Sequence, residues 1–223
     1  MRYTRFAVYD APVDDTLANF GAAWLGWDLR TGRATRQVNV HGLHDITMTP
    51  RKYGFHGTLK PPFKLAEGFS LDDLQIAAAD MAGRCAPAQS GALKLTTLGG
   101  FLALTPMGNL TGLEEVATAC VQGLDCFRAP ATEAELVRRR SAGLSARQEA
   151  LMMEWGYPYV QEEFRFHLTL SGLLSEADRT AWMNIAQTHL PPLAERYELS
   201  TIALCGERPD GRFELIQRYA LTG

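Results

Sequence analysis

No stretch of the 223 residues approaches the roughly 18 consecutive apolar residues of a membrane-spanning helix, so no membrane partner is expected. Cysteine is scarce. Cys85, Cys120, Cys126 and Cys205 form no Cys-x-x-Cys pair, which argues against zinc-ribbon and thioredoxin-type motifs and leaves four reduced core thiols as the expectation. An excess of positive charge is also missing: 22 Lys and Arg stand against 25 Asp and Glu, a net charge of -3, so no long nucleic acid is expected as a partner. The chain contains no Gly-x-x-x-x-Gly-Lys-Ser/Thr, no Gly-x-Gly-x-x-Gly and no Gly-x-Ser-x-Gly string, the usual signatures of nucleoside triphosphatases, dinucleotide enzymes and serine hydrolases. Met1 to Asp10 is too short and too polar for a signal-peptide core, and the expected location is cytoplasmic.

What is present is an ordinary globular composition, 46% hydrophobic with 20 Gly and 11 Pro, in a chain long enough to bury a core without a disulfide or a structural metal. Arg2 to Tyr9 reads as a strand, and a helix follows behind Asp14 and Asp15, with Leu17, Phe20, Trp24 and Leu25 at helical spacing. Tyr53 to Leu59 reads as a strand ended by Pro61-Pro62, and Ser70-Leu71-Asp72-Asp73 opens a helix to about Met81. Two alternating runs around Gly99-Gly100 then form a hairpin. The same order returns late in the chain. Glu163 to Leu170 reads as a strand, Ser175 caps a helix to about Leu190, and the strands Tyr197 to Cys205 and Arg212 to Leu221 flank the turn Pro209-Asp210-Gly211.

The expected fold class is therefore α+β: two similar lobes of strand-helix-strand-strand type, with antiparallel sheets facing a central cleft. Lobe one spans about residues 1–110, a helical connector about 111–156 and lobe two about 157–223, all in one bilobal domain. The connector holds one helix facing inward through Leu113, Val116, Ala117, Cys120 and Val121, and two more starting at Thr132 and Ser145.

Each leading strand carries the same string, His56-Gly57-Thr58-Leu59 and His167-Leu168-Thr169-Leu170. With five histidines and about 8% threonine, chance gives roughly 0.2 occurrences of His-x-Thr-apolar, and the chain has two in matching places. Residues i and i+2 of a strand share a face, so each His projects beside its Thr. Two imidazoles across a cleft make an acid and base pair near neutral pH. On a phosphodiester, one takes a proton from an attacking water, the other protonates the leaving oxygen, and the two hydroxyls donate to the nonbridging oxygens. This scheme calls for no metal and no cofactor.

These motifs resemble the two-histidine phosphoesterase superfamily, which includes RNA cyclic phosphodiesterases and 2′-5′ RNA ligase-like proteins. The strings from Tyr53 to Phe63, Phe127 to Pro130, Trp155 to Val160 and Phe164 to Leu170 resemble more closely a bacterial branch described as phosphonate metabolism proteins, over nearly the whole chain. The resemblance implies catalytic roles for His56, Thr58, His167 and Thr169, and metal-independent opening of a small cyclic phosphodiester. Nucleoside 2′,3′-cyclic phosphates, ribosyl cyclic phosphates and short RNA ends are the candidate substrates.

Around the motifs, Lys60 and Arg165 are expected on the faces of their histidines as phosphate partners, with Tyr53 on the opposite face of a regular strand and Arg128 a further candidate. Trp155, Tyr157 and Tyr159 read either as core or as a stacking wall. Arg138-Arg139-Arg140 reads as a solvated helix face beside Glu133, Glu135 and Glu149. Two rival readings stand beside the enzyme: a protein that binds a nucleotide or an RNA end without turnover, and a metal-dependent hydrolase built on His41 and His44.

Overall fold

Period-two alternation decides which side of the sheet each strand residue serves. In a computed structural model, which describes residues 3–223 and leaves Arg2 of the expected first strand outside, the chain runs β1 (Phe6–Asp10), α1 (Asp15–Leu25), β2 (Trp27–Asp28), β3 (Arg33–Ala34), α2 (Leu43–Ile46) and β4 (Gly57–Phe63). It continues through α3 (Leu71–Ala82), β5 (Ala88–Gly91), β6 (Leu93–Leu98), β7 (Phe101–Pro106), α4 (Thr111–Gly123), α5 (Glu133–Arg140) and α6 (Ala146–Trp155). The last elements are β8 (Leu168–Thr169), α7 (Glu176–His189), β9 (Arg196–Leu199), β10 (Thr201–Glu207) and β11 (Phe213–Ala220).

The main sheet has the order β11-β10-β1-β4-β8-β7-β6, and each neighbouring pair in it is antiparallel. Phe6, Val8, Leu59, Leu102, Leu104, Leu168, Ile202 and Leu204 join a core shared with residues of α1, α3, α4 and α7. The intervening residues Ala7, Tyr9, Ala203 and Cys205 form a smaller cluster with Phe213. Thr58 and Thr169 share this second parity and are only partly buried, so the cleft face is the one that the main core leaves open.

The α+β class and the antiparallel sheets match expectation, while the assignment of strands to halves does not follow the order of the chain. The hairpin β6-β7 pairs with β8, and the hairpin β10-β11 pairs with β1. Each side of the sheet is thus built from both repeated units, which meet where β4 pairs with β8.

The expected strand Tyr53 to Leu59 begins only at Gly57, because a 3-10 turn at Pro50–Lys52 and the left-handed Gly54 (φ 74°) bend the chain ahead of it. It then runs through Pro61-Pro62, which were expected to end it. Along this stretch Thr58 lies opposite Tyr9, Lys60 opposite Val8 and Phe63 opposite Phe6, so β4 carries extra residues against β1. Such bulges accommodate prolines that have no ladder hydrogen to give. The expected strand Glu163 to Leu170 shortens to β8, and Tyr197 to Cys205 divides into β9 and β10. Cys120 and Cys205 are buried as expected, whereas Cys85 is half-buried and Cys126 is exposed in a 3-10 turn, and all four are free. No helix among the described residues is long and apolar enough to cross a membrane.

Candidate active site

Gly57 and Leu168, the middle residues of the two motifs, face each other across the β4–β8 pair. Carrying the antiparallel register one residue either way sets Thr58 opposite His167 and His56 opposite Thr169. All four side chains therefore leave the sheet on one side, with cross-strand neighbours about 5 Å apart at Cβ. Below them Leu168 is fully buried, and the ring of Phe166 fills the space under Gly57. A Cβ at Gly57 would lie 2.6 Å from two atoms of that ring.

The two imidazoles are held alike. His56 Nδ1 is 2.9 Å from the Gly54 carbonyl, and His167 Nδ1 is 2.7 Å from the Arg165 carbonyl, in each case the residue two positions earlier. A carbonyl only accepts, so Nδ1 carries the hydrogen in the neutral ring and Nε2 keeps the lone pair. The Thr58 hydroxyl donates to His56 Nε2 at 3.1 Å, while among the described residues no group is hydrogen-bonded to His167 Nε2. The His56 ring stacks on Tyr9 at 3.6 Å between centroids, and His167 lies 5.5 Å from the ring of Phe101. Burial pushes His56 down to about 4, against the pull of the Gly54 carbonyl and with the help of the charge on His167. Burial also lowers His167, and the Arg165 carbonyl opposes it.

The cleft above has two compartments of about 560 and 580 Å³, which share Thr58, Pro61, Phe101 and Tyr157. The first includes His56, Thr169, Tyr53 and Tyr9, and the second His167, Arg165 and Tyr159. Tyr53, Arg165 and Tyr159 therefore stand at the cleft with the four motif residues. Tyr53 reaches it from the turn before β4, its ring centroid 6.4 Å from that of His56.

Lys60 does not share the face of His56 and Thr58. The bulge in β4 turns it to the core side, where it is 2% exposed and its Nζ donates to the Val121 carbonyl at 2.8 Å, with Asp125 3.5 Å away. Arg128 is likewise engaged elsewhere, bracing Asp125 and the Glu154 carbonyl. His44, needed for a metal pair with His41, has ring nitrogens 3.0 and 3.2 Å from the Arg51 guanidinium, which places a cation where a metal would have to bind.

Sequence reasoning did not single out Tyr9 or Arg5, and it assigned Arg138 and Arg139 to a solvated face, yet all four line the first compartment. The β1–β4 register puts Tyr9 opposite Thr58, a long-range pairing with no local signature. The arginine run divides: Arg140 bonds Glu149 at 2.7 Å, whereas the Arg139 guanidinium lies 4.8 Å from the centre of the Tyr157 ring. Tyr157 in turn packs against the cluster of Val121, Leu151 and Val160, and so serves both as core and as wall.

Residues 58–214 match a family described as "Protein of unknown function (DUF1045)". The chain is 40% identical over 99% of its length to a protein named ribose 1,5-bisphosphate phosphokinase PhnN from Janthinobacterium sp. (strain Marseille), covering 51% of that protein. It is 37% identical over 83% of its length to a protein of the same name from Laribacter hongkongensis (strain HLHK9), covering 44%. The chain thus spans about half the length of these curated relatives. Among solved structures, it aligns over 98% of both chains with TT0787 of Thermus thermophilus at 15% identity and a TM-score of 0.47. E. coli LigT complexed with 3′-AMP aligns over 99% of both chains at 15% identity and a TM-score of 0.45.

Proposed function

The chain belongs to the DUF1045 family, and from that premise we propose that it is a phosphoesterase opening a small cyclic phosphodiester by two-histidine acid-base chemistry without a metal. The observation that carries this reading is the Gly57–Leu168 pairing, which sets two His-x-Thr motifs side by side with equivalent bonds from Nδ1 to the carbonyl two residues earlier.

His56 is assigned as the base: the Gly54 carbonyl holds its Nδ1 hydrogen, its Nε2 lone pair accepts from Thr58, and burial keeps the ring neutral. When a phosphodiester enters, the Thr58 hydroxyl turns from His56 Nε2 to a nonbridging oxygen, as does that of Thr169, and the freed Nε2 takes a proton from water. The water oxygen bonds to phosphorus as the P–O bond to the leaving oxygen breaks, and that oxygen takes the Nε2 proton of His167 in its imidazolium form. The charge of the anionic substrate raises both histidines, which favours the protonated His167 this step needs.

The substrate is a nucleoside 2′,3′-cyclic phosphate or a ribosyl cyclic phosphate, and the names of the relatives favour the ribosyl class, with a place in phosphonate metabolism as the resemblance implies. A kinase named for ribose 1,5-bisphosphate acts on what opening a 5-phosphorylated ribosyl 1,2-cyclic phosphate produces. This chain carries no phosphate-loop string of its own, so the kinase activity in that name is not carried over to it.

The test is phosphorus NMR of both cyclic phosphate classes with the purified protein in excess EDTA, beside His56→Ala and His167→Ala. Ring opening that survives the chelator and is lost in both variants is the expected result. Wild-type turnover by either folded variant overturns the mechanism. Binding without turnover across the panel shifts the reading to a nucleotide- or RNA-end-binding protein.

A further inference from the structure

The first compartment holds positive charge that the reacting phosphate does not require. Of the arginines near it, Arg5 forms a bidentate pair with Glu207, and Arg140 is paired with Glu149 and Glu133. Arg138 and Arg139 line the compartment, and among the described residues neither has a carboxylate within ion-pair distance. Basic residues in the last turn of a helix are favourable on their own account, which suffices for the exposed Arg140. It does not account for Arg139, which is half-buried over the Tyr157 ring, where its charge gives up water and gains only the longer-range pull of Glu135 in place of an ion pair.

The helix that carries these arginines is anchored at both ends. The Thr132–Glu135 capping box starts α5, and Arg140 ties its end to Glu149 on α6. A second observation points the same way: the Tyr157 ring under the Arg139 guanidinium lines both compartments, so this charge is held at the cleft beside the motif residues. At about 560 Å³ the compartment holds more than a bare cyclic phosphate.

Building on the proposed phosphoesterase reading, we infer that Arg138 and Arg139 form a second anion subsite, so that the preferred substrate is a sugar cyclic phosphate carrying a separate terminal phosphate. The two histidines and threonines engage the ring phosphate, and the two guanidiniums hold the terminal one in charge-assisted hydrogen bonds. In a reaction sequence, such an enzyme consumes the product of a step that leaves a cyclic phosphate on an already phosphorylated sugar, and it delivers a sugar bisphosphate.

The experiment compares kcat/KM for ribose 1,2-cyclic phosphate with and without a 5-phosphate, in wild type, Arg138→Met, Arg139→Met, Arg165→Met and Arg140→Met. Wild type is expected to prefer the 5-phosphorylated compound by about 10- to 100-fold. That ratio should fall toward one in Arg139→Met, fall partly in Arg138→Met and persist in Arg140→Met. A wild-type ratio near one, a ratio unmoved in both Arg138→Met and Arg139→Met, or a ratio lost only in Arg165→Met overturns the assignment. Calorimetric binding of ribose 1,5-bisphosphate and ribose 1-phosphate reads the same preference without turnover, so the subsite can fail while the phosphoesterase reading stands, and the reverse.

Discussion

Replacing Gly57 by alanine adds one methyl group at the point where the two halves of the site join. The new Cβ would lie 2.6 Å from two atoms of the Phe166 ring, against 3.4–4 Å for ordinary contact, so about 1 Å of relief is needed. The ring is 4% exposed and lies 5.7 Å from that of Tyr197, which blocks escape into solvent. Overpacking of this kind costs about 1–3 kcal/mol, offset in part because alanine loses less backbone freedom than glycine on folding. The larger effect is on chemistry: a shift of β4 against β8 moves His56 and Thr58 relative to His167 and Thr169, and about 1 Å of misplacement lowers kcat by up to about 100-fold. Urea denaturation and single-turnover kinetics read the two effects separately. A double-mutant cycle with Phe166→Leu should show coupling of at least about 0.5 kcal/mol, since the smaller side chain opens the space the methyl needs. Wild-type stability together with wild-type kcat in Gly57→Ala would refute the argument.

Because His56 lies near 4 and His167 below the ordinary histidine value, the base is free and the acid still protonated only between these values, so kcat/KM should peak between about pH 4 and 6.5. A plateau extending above pH 8 in a pH–rate profile would contradict it. The same depression links to stability. Between about pH 6.5 and 4 the unfolded chain protonates His56 before the folded one does, so the stabilising contribution of the neutral ring, up to about 3 kcal/mol, is lost on acidification. The difference between wild type and His56→Ala in denaturation from pH 4 to 7 isolates this contribution. Asp10, raised to about 7 by burial against a bond from Tyr197 and the charge of Arg218, acts in the opposite sense, since its carboxyl loses stabilisation as pH rises from about 4 to 7. Lys60→Met should lower stability by about 1–3 kcal/mol through the abandoned Val121 carbonyl and leave KM within about twofold, whereas a large rise in KM at unchanged stability would restore Lys60 as a phosphate partner. Tyr9→Phe removes a buried hydroxyl that has no hydrogen-bond partner among the described residues, so a thermal melt should show no loss of stability, and a loss beyond about 1 kcal/mol would reveal a bond it makes.

Features legible in the sequence were those settled within a few residues of themselves. Asp14, Ser70, Thr132, Ser145 and Ser175 each accept a hydrogen bond from a backbone amide three residues on, so helix starts could be read directly. The two His-x-Thr strings were legible for the same reason, since their shared face follows from strand period alone. Lys60, Tyr9 and Arg139 depended on something distant. The face of Lys60 was set by extra residues in β4 against β1, which alternation counted along β4 cannot register. The place of Tyr9 followed from that same pairing, and the place of Arg139 from the way α5 lies against Tyr157. A strand's period therefore predicts a site only up to its first bulge. Lys60 lies two residues beyond Thr58, across that boundary, while all four motif residues lie short of it.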